Sequence, residues 1–214
     1  MSRGLGDVYK RQERNLRTPD NAGTSHLCVV DSEGNVAAVT TTVNLPFGAR
    51  YTAGGLVMND EMDDFASDPG KANAFGLVGG ARNLPGPRKR PVSTMSPTIV
   101  LQDGKPVLCI GASGGSRIVT ATEQVALRIL LLGEQAEETI AAARIHHQAA
   151  PAELRVETIA PLDEQLQAEL RSRGHEIEPI YNVANVQLIH IDRSSQRRLR
   201  AASDPRKGGS PAGR

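Results

Sequence analysis

The chain has 214 residues, with 25 Lys plus Arg against 24 Asp plus Glu, a formal net charge of +1 and only 3% aromatic residues. This length suits one globular domain, or one and a half, with a core large enough for an enzyme. The balanced charge and the few aromatic side chains argue against a nucleic-acid-binding protein, which needs clustered basic residues and stacking platforms. No run approaches the ~20 apolar residues of a membrane-spanning helix, and the first residues lack the pattern of an export signal.

The two ends of the chain look unlike the rest. Residues 1–12, MSRGLGDVYKRQ, show no strand or helix periodicity, and we interpret them as a non-native adapter segment outside the fold. Residues 13–23 are polar, with Pro19 and Gly23, which is typical of a loop. From Asp204 the chain becomes polar and rich in Gly and Pro again, and we expect this tail to fray.

Three β-hairpins are predicted along the chain. The first joins residues 27–30 and 36–43 through DSEGN, and the second joins 98–101 and 107–110 through QDGK, whose Asp-Gly pair is typical of a type I′ turn. The third lies in NVQLIHIDRSSQRRLRAA near the C-terminus. Between the first two lie about fifty residues rich in Gly and Pro, longer than the ~12 to 15 residues of a structureless connection. This connection is therefore either disordered or functional.

Helices are predicted after the second hairpin. Apolar spacing indicates helices over residues 118–132, 136–143 and 161–173, the first and third followed by a glycine that can end them. A short strand is predicted at residues 154–156. Strands, then helices, then strands predict an α+β fold with antiparallel sheets, and we find no internal repeat.

Cysteine and histidine residues give few functional signals. Cys28 and Cys109 are too few for a disulfide framework and both lie in apolar runs, so we expect them to be reduced core thiols. His146 and His147 could suggest a metal site, but adjacent side chains diverge on a strand or a helix. We therefore expect both histidines to be structural.

Thr24 is the first candidate for chemistry, because it follows a glycine and opens a predicted strand in GTSHLCVVD. A threonine hydroxyl is a weak nucleophile unless a base lies beside it, and a threonine at a chain start can use its own α-amine. That amine has an unperturbed pKa of about 7.7 to 8.0, close to working pH. On spacing alone, however, a threonine that opens a strand is ordinary.

Seven ordered motifs carry a family resemblance: TSHLCVVDSEGNVAAVTTTVNLPFG, LVMNDEMDDF, FGLVGG, RKRPVSTMSPTIV, GASGGSRI, HHQAAPAELRVE and ASDPR. Over residues 24–206 the chain resembles the small subunit of γ-glutamyltransferases (γ-glutamyl transpeptidases), of the N-terminal nucleophile hydrolase class. The resemblance implies an αββα sandwich with antiparallel sheets, and a precursor that cuts itself into a heterodimer. Residues 13–23 would then end the large subunit, residues 24–206 would form the catalytic small subunit, and residues 207–214 a flexible tail.

The resemblance assigns catalytic roles to four residues and a cleavage site to the bond before the first of them. Thr24 would be the nucleophile, released by cleavage of the Gly23–Thr24 bond. Thr42 would hydrogen-bond the Thr24 hydroxyl. Gly114 and Gly115, in GASGGS, would form an oxyanion hole from backbone N–H groups near a helix start. A phosphate-binding loop is the rival interpretation of these glycines, but no Gly-Lys-Ser/Thr follows.

Three further residues would bind the α-amino end of a glutamyl substrate. The alternation of a strand would place Asn44 on the same face as Thr42, so that Asn44 reaches the pocket. Glu61 and Asp64, in NDEMDDF, would accept from the substrate's ammonium, since opposite charges offset the cost of desolvation. Without the resemblance, this acidic loop reads as a solvated loop or a weak calcium site that lacks the ligand set of an EF-hand.

Ser93 and Thr94, in PVSTMSP, would bind the substrate's α-carboxylate. The family usually has two serines there, so Thr94 is a departure that keeps the donor and adds a methyl group. Phe75 lies where many members carry an aromatic lid residue, which would give the long connection a function in closing the site.

The resemblance implies a γ-glutamyl transferase or hydrolase that acts on glutathione and other γ-glutamyl amides through an acyl-enzyme on Thr24. Water, an amino acid or a peptide would accept the acyl group, and neither a metal nor an organic cofactor is needed. One alternative is a glutaryl or cephalosporin-type acylase, which would leave Glu61 and Asp64 without an ammonium partner. Another is an inactive fragment that lacks its large subunit and the arginine expected from it. The full-length parent is expected to be periplasmic or secreted, its signal lying upstream of this segment.

Overall fold

The computed structural model describes residues 23–73, 75–193 and 198–213, so the predicted segments 1–12 and 13–22 lie outside it. Its strands and helices, in chain order, are β1 (Thr24–Val30), β2 (Val36–Thr42), β3 (Thr52–Ala53), β4 (Leu56–Val57), β5 (Thr98–Gln102), β6 (Lys105–Ser113), α1 (Ile118–Leu132), α2 (Ala136–Ala141), β7 (Ile145–His146), β8 (Leu154–Glu157), α3 (Glu164–Ser172), β9 (Ile177–Ile180), β10 (Asn185–Asp192) and β11 (Arg198–Ser203). None of the helices in these ranges has the length and apolar character needed to cross a bilayer.

The three predicted hairpins are confirmed. β1 pairs with β2 from Thr24 opposite Thr42 to Val30 opposite Val36. Asp103 and Gly104, which join β5 to β6, both have positive φ, as a type I′ turn requires. β5 and β6 combine with β10 and β11 in one antiparallel sheet of order β11-β10-β6-β5, whereas β1–β2 is a separate two-stranded sheet. The first two hairpins therefore belong to different layers.

β6 lies between two layers and is buried on both faces. Leu108, Ile110 and Ala112 point into the main core, where Ile118 and Val125 of α1 also pack. The alternate residues of β6 point the other way, towards β1. The β1–β2 hairpin thus covers one face of the four-stranded sheet and α1 covers the opposite face, which confirms the α+β class with antiparallel sheets.

All three predicted helices are present, but two of them begin or end at residues other than those predicted. α1 has the predicted bounds and ends where Gly133 adopts the left-handed conformation. α2 stops at Ala141, two residues early. α3 begins at Glu164 rather than at residue 161, because the Asp163 carboxylate accepts from the Leu166 N–H at 2.8 Å and caps the helix there. α3 connects β8 to β9, which pair in parallel, and the sequence predicted only β8 of these two strands.

The expectation of two reduced cysteines is wrong. Cys28 in β1 and Cys109 in β6 form a disulfide, with their Cα atoms 6.0 Å apart, within the range that disulfides require. The two residues are 81 positions apart in the sequence, and they meet because the β1–β2 hairpin lies across the four-stranded sheet. Neither apolar run indicates this stacking by itself.

The expectation that the chain frays from Asp204 is wrong for Asp204 and Arg206, whose side chains are almost completely buried. Arg206 bonds Glu157 at 2.7 Å and Asp204 at 3.2 Å, and Arg144 bonds Asp204 at 2.7 Å. Asp204 also accepts from the Val186 N–H at 2.8 Å. Two arginines and two carboxylates therefore fix residues 204–206 to β8, β10 and the region after α2.

Candidate active site

A cavity of about 410 Å³ opens beside the paired ends of β1 and β2. Most of its wall comes from the long connection between β2 and β5, which is therefore ordered around the cavity rather than a plain linker. The predicted site residues that line it are Thr24, Thr42, Asn44, Glu61, Asp64, Phe75, Ser93, Thr94 and Gly115. Gly23 and Gly114 are adjacent in sequence to lining residues without themselves lining the cavity.

Thr24 lies at the start of β1 with its hydroxyl oxygen 2.9 Å from the hydroxyl oxygen of Thr42. The register brings them together, since Thr24 and Thr42 are directly opposite each other in the hairpin. Thr42 Oγ1 also accepts from the Asn44 N–H at 2.8 Å. Because a hydroxyl has one hydrogen and two lone pairs, Thr42 can accept from Asn44 and still either donate to Thr24 or accept from it.

Asn44 reaches the cavity by a different route from the one predicted. β2 ends at Thr42, and Asn44 has a φ of 72°, so the two residues do not share the face of one continuous strand. The Asn44 side chain donates to the Asp60 carbonyl oxygen at 3.3 Å. Asp60 Oδ1 in turn accepts from the Leu45 N–H at 3.0 Å. The turn after β2 is thereby fixed to the acidic segment.

Gly23, which precedes Thr24, occupies a position that only glycine fits. Its φ is 88°, and an added Cβ would lie 2.1 Å from the carbonyl oxygen of Asn44. Its own carbonyl oxygen accepts from the Val43 N–H at 3.2 Å. The peptide group before Thr24 is therefore held against the turn that follows β2.

Glu61 and Asp64 face each other in the short 3₁₀ turn Glu61–Asp64. Partial burial raises the pKa of Glu61 to about 7, helped by a hydrogen bond to Asp64 and by the nearby carboxylates. Partial burial also raises the pKa of Asp64. Glu61 Oε1 is buried and has no hydrogen-bond partner among the described residues. The site is therefore short of positive charge, which a bound cation would supply.

Of the two hydroxyls predicted to bind a carboxylate, those of Ser93 and Thr94, only one can donate to a ligand. Ser93 Oγ accepts from the Met95 N–H at 3.2 Å and keeps its own hydrogen for a ligand. Thr94 Oγ1 donates to the carbonyl oxygen of Gly115 at 2.9 Å. In this arrangement the Thr94 hydrogen is used within the protein, so Ser93 is the available donor.

Gly114 and Gly115 connect β6 to the 3₁₀ turn Gly115–Arg117 that leads into α1. An added Cβ on Gly114 would lie 2.8 Å from the Ala184 side chain, and one on Gly115 would lie 2.7 Å from the ring of Phe75. Gly115 has a φ of 61°, which also favours glycine. The Phe75 ring therefore rests directly on the second glycine of the predicted oxyanion hole.

Lys207 is a residue near Thr24 that sequence reasoning missed. Its ammonium donates to the backbone carbonyl oxygen of Thr24 and to Ser113 Oγ, the latter at 3.3 Å. Lys207 lies in the polar segment assigned to a tail, so composition gave no signal for it. The preceding buried residues Asp204 and Arg206 bring it to the site.

His26 is a second residue that was not singled out. It lies two positions after Thr24, its Nδ1 is 2.8 Å from Thr40 Oγ1, and burial lowers its pKa to about 4. Donor atoms of His26, Cys28 and Cys109 lie within 4.8 Å of one another. Because the two sulfurs are bonded to each other, neither is a thiolate, which is the form that binds metals.

The expected structural role of His146 agrees with its surroundings. The side chain is buried between two neutral partners, Thr120 Oγ1 at 2.8 Å from Nδ1 and Gln148 Oε1 at 2.9 Å from Nε2. Burial lowers its pKa. His147 is separate, with its Nδ1 accepting from the Ala149 N–H at 3.1 Å.

A threonine that opens a strand beside a cavity, in a hairpin stacked on an antiparallel sheet, is the arrangement of the N-terminal nucleophile hydrolase class. The sequence model of the family described as Gamma-glutamyltranspeptidase matches residues 5–214. The chain therefore belongs to the γ-glutamyltranspeptidase family.

Individual relatives agree with this assignment. The chain is 43% identical over 186 residues to the glutathione hydrolase proenzyme of Escherichia coli K12, covering 86% of this chain and 31% of that protein. A mutant of the Helicobacter pylori gamma-glutamyltranspeptidase superposes with a TM-score of 0.82 at 36% identity, covering 86% of this chain and all of the matched one. A cephalosporin acylase from Bacillus halodurans, with a TM-score of 0.69 at 21% identity over 94% of this chain and 37% of that one, shares the fold alone. The chain spans about a third of the length of its curated bacterial relatives.

Proposed function

We propose that this chain is the catalytic part of an autoprocessed γ-glutamyl transferase or hydrolase that acts on glutathione and other γ-glutamyl amides. The observation that carries the proposal is the 2.9 Å contact between the Thr24 and Thr42 hydroxyls, in a cavity that also contains the Glu61–Asp64 pair. The two threonine hydroxyls have the chemistry of a nucleophilic site, and the two carboxyls have that of an ammonium-binding site. The glutathione hydrolase proenzyme of Escherichia coli, a relative, supports this combination.

The first reaction is cleavage of the chain before Thr24. The Thr24 hydroxyl oxygen attacks the carbonyl carbon of Gly23, an ester bond forms, and the C–N bond breaks as the hydroxyl proton passes to the departing nitrogen. Water then hydrolyses the ester, which restores the hydroxyl and leaves a free α-amine on Thr24. The Val43 N–H, which donates to the Gly23 carbonyl oxygen, withdraws electron density from the carbon under attack.

The second reaction uses the amine that cleavage releases. The α-amine of Thr24 takes the hydroxyl proton as the oxygen attacks the γ-carbonyl of the substrate, and the proton then passes to the departing amine. The N–H groups of Gly114 and Gly115 stabilise the negative charge on the carbonyl oxygen. Water or the amine of an amino acid or peptide then attacks the γ-glutamyl ester and regenerates Thr24.

The glutamyl head is held by groups around the cavity. Glu61 and Asp64 accept from the α-ammonium, which satisfies the unpartnered Glu61 Oε1 and favours ionisation of both carboxyls. Asn44 supports the same end. Ser93 donates to the α-carboxylate, whereas Thr94 stabilises Gly115 in the free state. Phe75, which rests on Gly115, limits the access of water as a lid.

The acylase alternative is less well supported. A glutaryl side chain has no ammonium, so it would leave Glu61 and Asp64 facing each other with no cation between them. The burial and neighbouring negative charge that raise the pKa values of both carboxyls would then stay uncompensated. Turnover of matched γ-glutamyl and glutaryl anilides separates the two activities. We expect turnover of the γ-glutamyl compound only.

We also propose that the N-terminal part of the same precursor covers this chain as a large subunit. Large apolar side chains are exposed on the outer face of the β1–β2 hairpin and at the end of α1, among them Leu27, Val29, Leu131 and Leu132. Exposed apolar area of this kind marks an interaction surface. In this proposal residues 13–23 end the large subunit, residues 24–206 form the small subunit with residues 207–214 as its tail, and the isolated chain is inactive.

The parent protein is proposed to be periplasmic or secreted. The Cys28–Cys109 disulfide supports this location, since structural disulfides persist mainly in oxidising compartments.

The test of the mechanism is Thr24→Ala in the full-length precursor. We expect one uncut polypeptide by intact mass and no turnover of a γ-glutamyl anilide. Thr24→Ser is the matched control, because it keeps the hydroxyl, and it should still produce a chain that begins at residue 24. Two chains and retained turnover from Thr24→Ala would refute the proposal.

A further inference from the structure

Two side-chain contacts join β1 to β6, the strand that faces it in the neighbouring layer. Cys28 is bonded to Cys109. His26 lies two residues before Cys28 in β1, and Gly111 lies two residues after Cys109 in β6. The His26 ring lies over Gly111, where an added Cβ would come within 2.4 Å of the imidazole. The spacing of two on both strands places all four residues on the facing sides. The strands approach each other closely here because Gly111 has no side chain.

A third contact continues the series at the end where the proposed chemistry occurs. Lys207 bridges the Thr24 carbonyl oxygen and Ser113 Oγ, again two residues further along each strand. Ser113 directly precedes Gly114, and Thr24 is the proposed nucleophile. The nucleophile and the oxyanion glycines therefore lie at one end of the β1–β6 pair, with the disulfide four residues away, or about 13 Å along a strand.

We propose that the Cys28–Cys109 disulfide positions the active site, by fixing β1 against β6 and hence Thr24 relative to Gly114 and Gly115. The proposal rests on the function proposed above. Among the described residues, the hydrogen bonds of β1 within its own layer are to β2, which belongs to the same hairpin. The placement of this hairpin over the four-stranded sheet therefore depends on contacts between layers, and the disulfide is the covalent one.

Opening the disulfide should affect the chemical step more than substrate binding. The residues proposed to hold the glutamyl head lie between Asn44 and Thr94, in the turn after β2 and in the long connection, away from the Cys28–Cys109 contact. A displacement of about 1 Å between a nucleophile and its oxyanion site can cost on the order of a hundredfold in rate. We expect kcat to fall about tenfold or more, with KM within about twofold of its original value.

The experiment uses the matured full-length enzyme, so that cleavage before Thr24 is complete before the bond is opened. A dithiol reduces the disulfide: its first thiolate attacks a cysteine sulfur, its second closes a cyclic disulfide, and both cysteines leave as thiols. EDTA is present throughout, because the freed thiolates and His26 would offer three ligands to contaminating zinc. An electrophilic glutamine analogue counts the reactive Thr24 sites. Peptide mapping reports the state of both cysteines.

The expected result is a lower kcat per labelled site after reduction, with KM nearly unchanged. The double variant Cys28→Ala/Cys109→Ala should show the same low kcat and should not respond to the dithiol. An unchanged kcat per labelled site with both cysteines free would overturn the proposal, because a disulfide that only stabilises the fold lowers the number of active sites and not their rate. Absence of the Cys28–Cys109 linked peptide from the matured enzyme would overturn it too.

Hydrogen exchange in the same samples separates this proposal from the proposed function. Reduction should increase amide exchange over residues 24–30 and 109–115 and leave α3, which is remote from the disulfide, unchanged. If the oxidised enzyme neither turns over γ-glutamyl amides nor reacts with the glutamine analogue, the proposed function fails. Hydrogen exchange then still tests whether the disulfide fixes β1 against β6. Unchanged exchange in the two strands contradicts positioning by the disulfide whatever the enzyme's activity.

Discussion

The Glu61–Asp64 pair predicts a specific change in pH dependence on Glu61→Gln. In the free protein, burial and neighbouring carboxylates raise the pKa of Glu61 to about 7, so the residue is largely protonated below neutral pH. A protonated Glu61 offers less negative charge to a substrate ammonium. Glutamine keeps the size and a carbonyl acceptor and removes the titration.

The magnitude follows from the fraction of Glu61 that is ionised. With a pKa of about 7, roughly nine tenths is ionised at pH 8 and roughly one tenth at pH 6. The ratio of kcat/KM for the wild type to that for Glu61→Gln should therefore fall from pH 8 to pH 6, by at most about tenfold, the limit reached if only the ionised form contributes. The α-amine of Thr24 titrates in the same range, but it is present in both proteins and cancels in the ratio.

The assay is kcat/KM for a γ-glutamyl anilide at half-unit pH steps, in full-length matured enzymes at constant ionic strength. Asp68→Asn is the matched control, because Asp68 is an exposed acid paired with Lys71, and its ratio to the wild type should stay flat. A flat ratio for Glu61→Gln as well would refute the reasoning, since it would mean that Glu61 does not titrate near pH 7 or does not face the ammonium.

Stability gives an independent test of the same pKa. A folded-state pKa above the unfolded value means that the folded protein binds the proton more tightly. The stabilisation by protonated Glu61 is therefore complete below about pH 4.5 and is lost as the pH rises through about 7. Glu61→Gln should remove this part of the pH dependence, which melting temperatures across the same pH series will reveal.

Two further substitutions test the packing behind the site. Gly111→Ala places a methyl group within 2.4 Å of the His26 ring and should destabilise the protein by about 1 to 3 kcal/mol in urea unfolding, and adding His26→Ala should restore part of the loss. Arg206→Ala leaves the buried Glu157 carboxylate without its 2.7 Å partner and should cost about 3 to 5 kcal/mol. Arg173→Ala, at an exposed ion pair, should cost much less, and equal losses would contradict the buried network.

The elements that the sequence predicted well are those specified by neighbouring residues. The Asp103-Gly104 turn, the apolar spacing of α1 and the glycine that ends it are local signals, and each element formed where the sequence predicted it. The start of α3 was misplaced because Asp163 was not recognised as its cap. The short strands β3, β4 and β7 have two residues each, too few for an alternating pattern.

The features that were missed depend on contacts between distant residues. Cys28 and Cys109 meet through the stacking of two hairpins, and Asp204 is buried by partners in β10 and in the region before β7. Composition describes the segment after Asp204 as a polar tail, and only the ion pairs explain why it turns inwards. Lys207 was missed for the same reason.

The candidate site was predicted through its motifs rather than from geometry. Thr24 and Thr42 are opposite each other because β1 and β2 pair in the predicted hairpin. Asn44 reaches the cavity although the strand argument for it was wrong, because a turn after Thr42 redirects the chain. The use of the Thr94 hydroxyl within the protein could not be predicted, since it depends on the position of the Gly115 carbonyl group.

The burial of β6 on both faces restricts how the length of this chain can vary. Deleting or inserting one residue within the strand would reverse the direction of every later side chain, turning the bulky Leu108 and Ile110 towards the hairpin and Cys109 towards α1. A change of two residues would keep the alternation but shift Gly114 along the sheet. We therefore expect changes of length within this strand to be poorly tolerated, with the residue count fixed between the Asp103-Gly104 turn and Gly114.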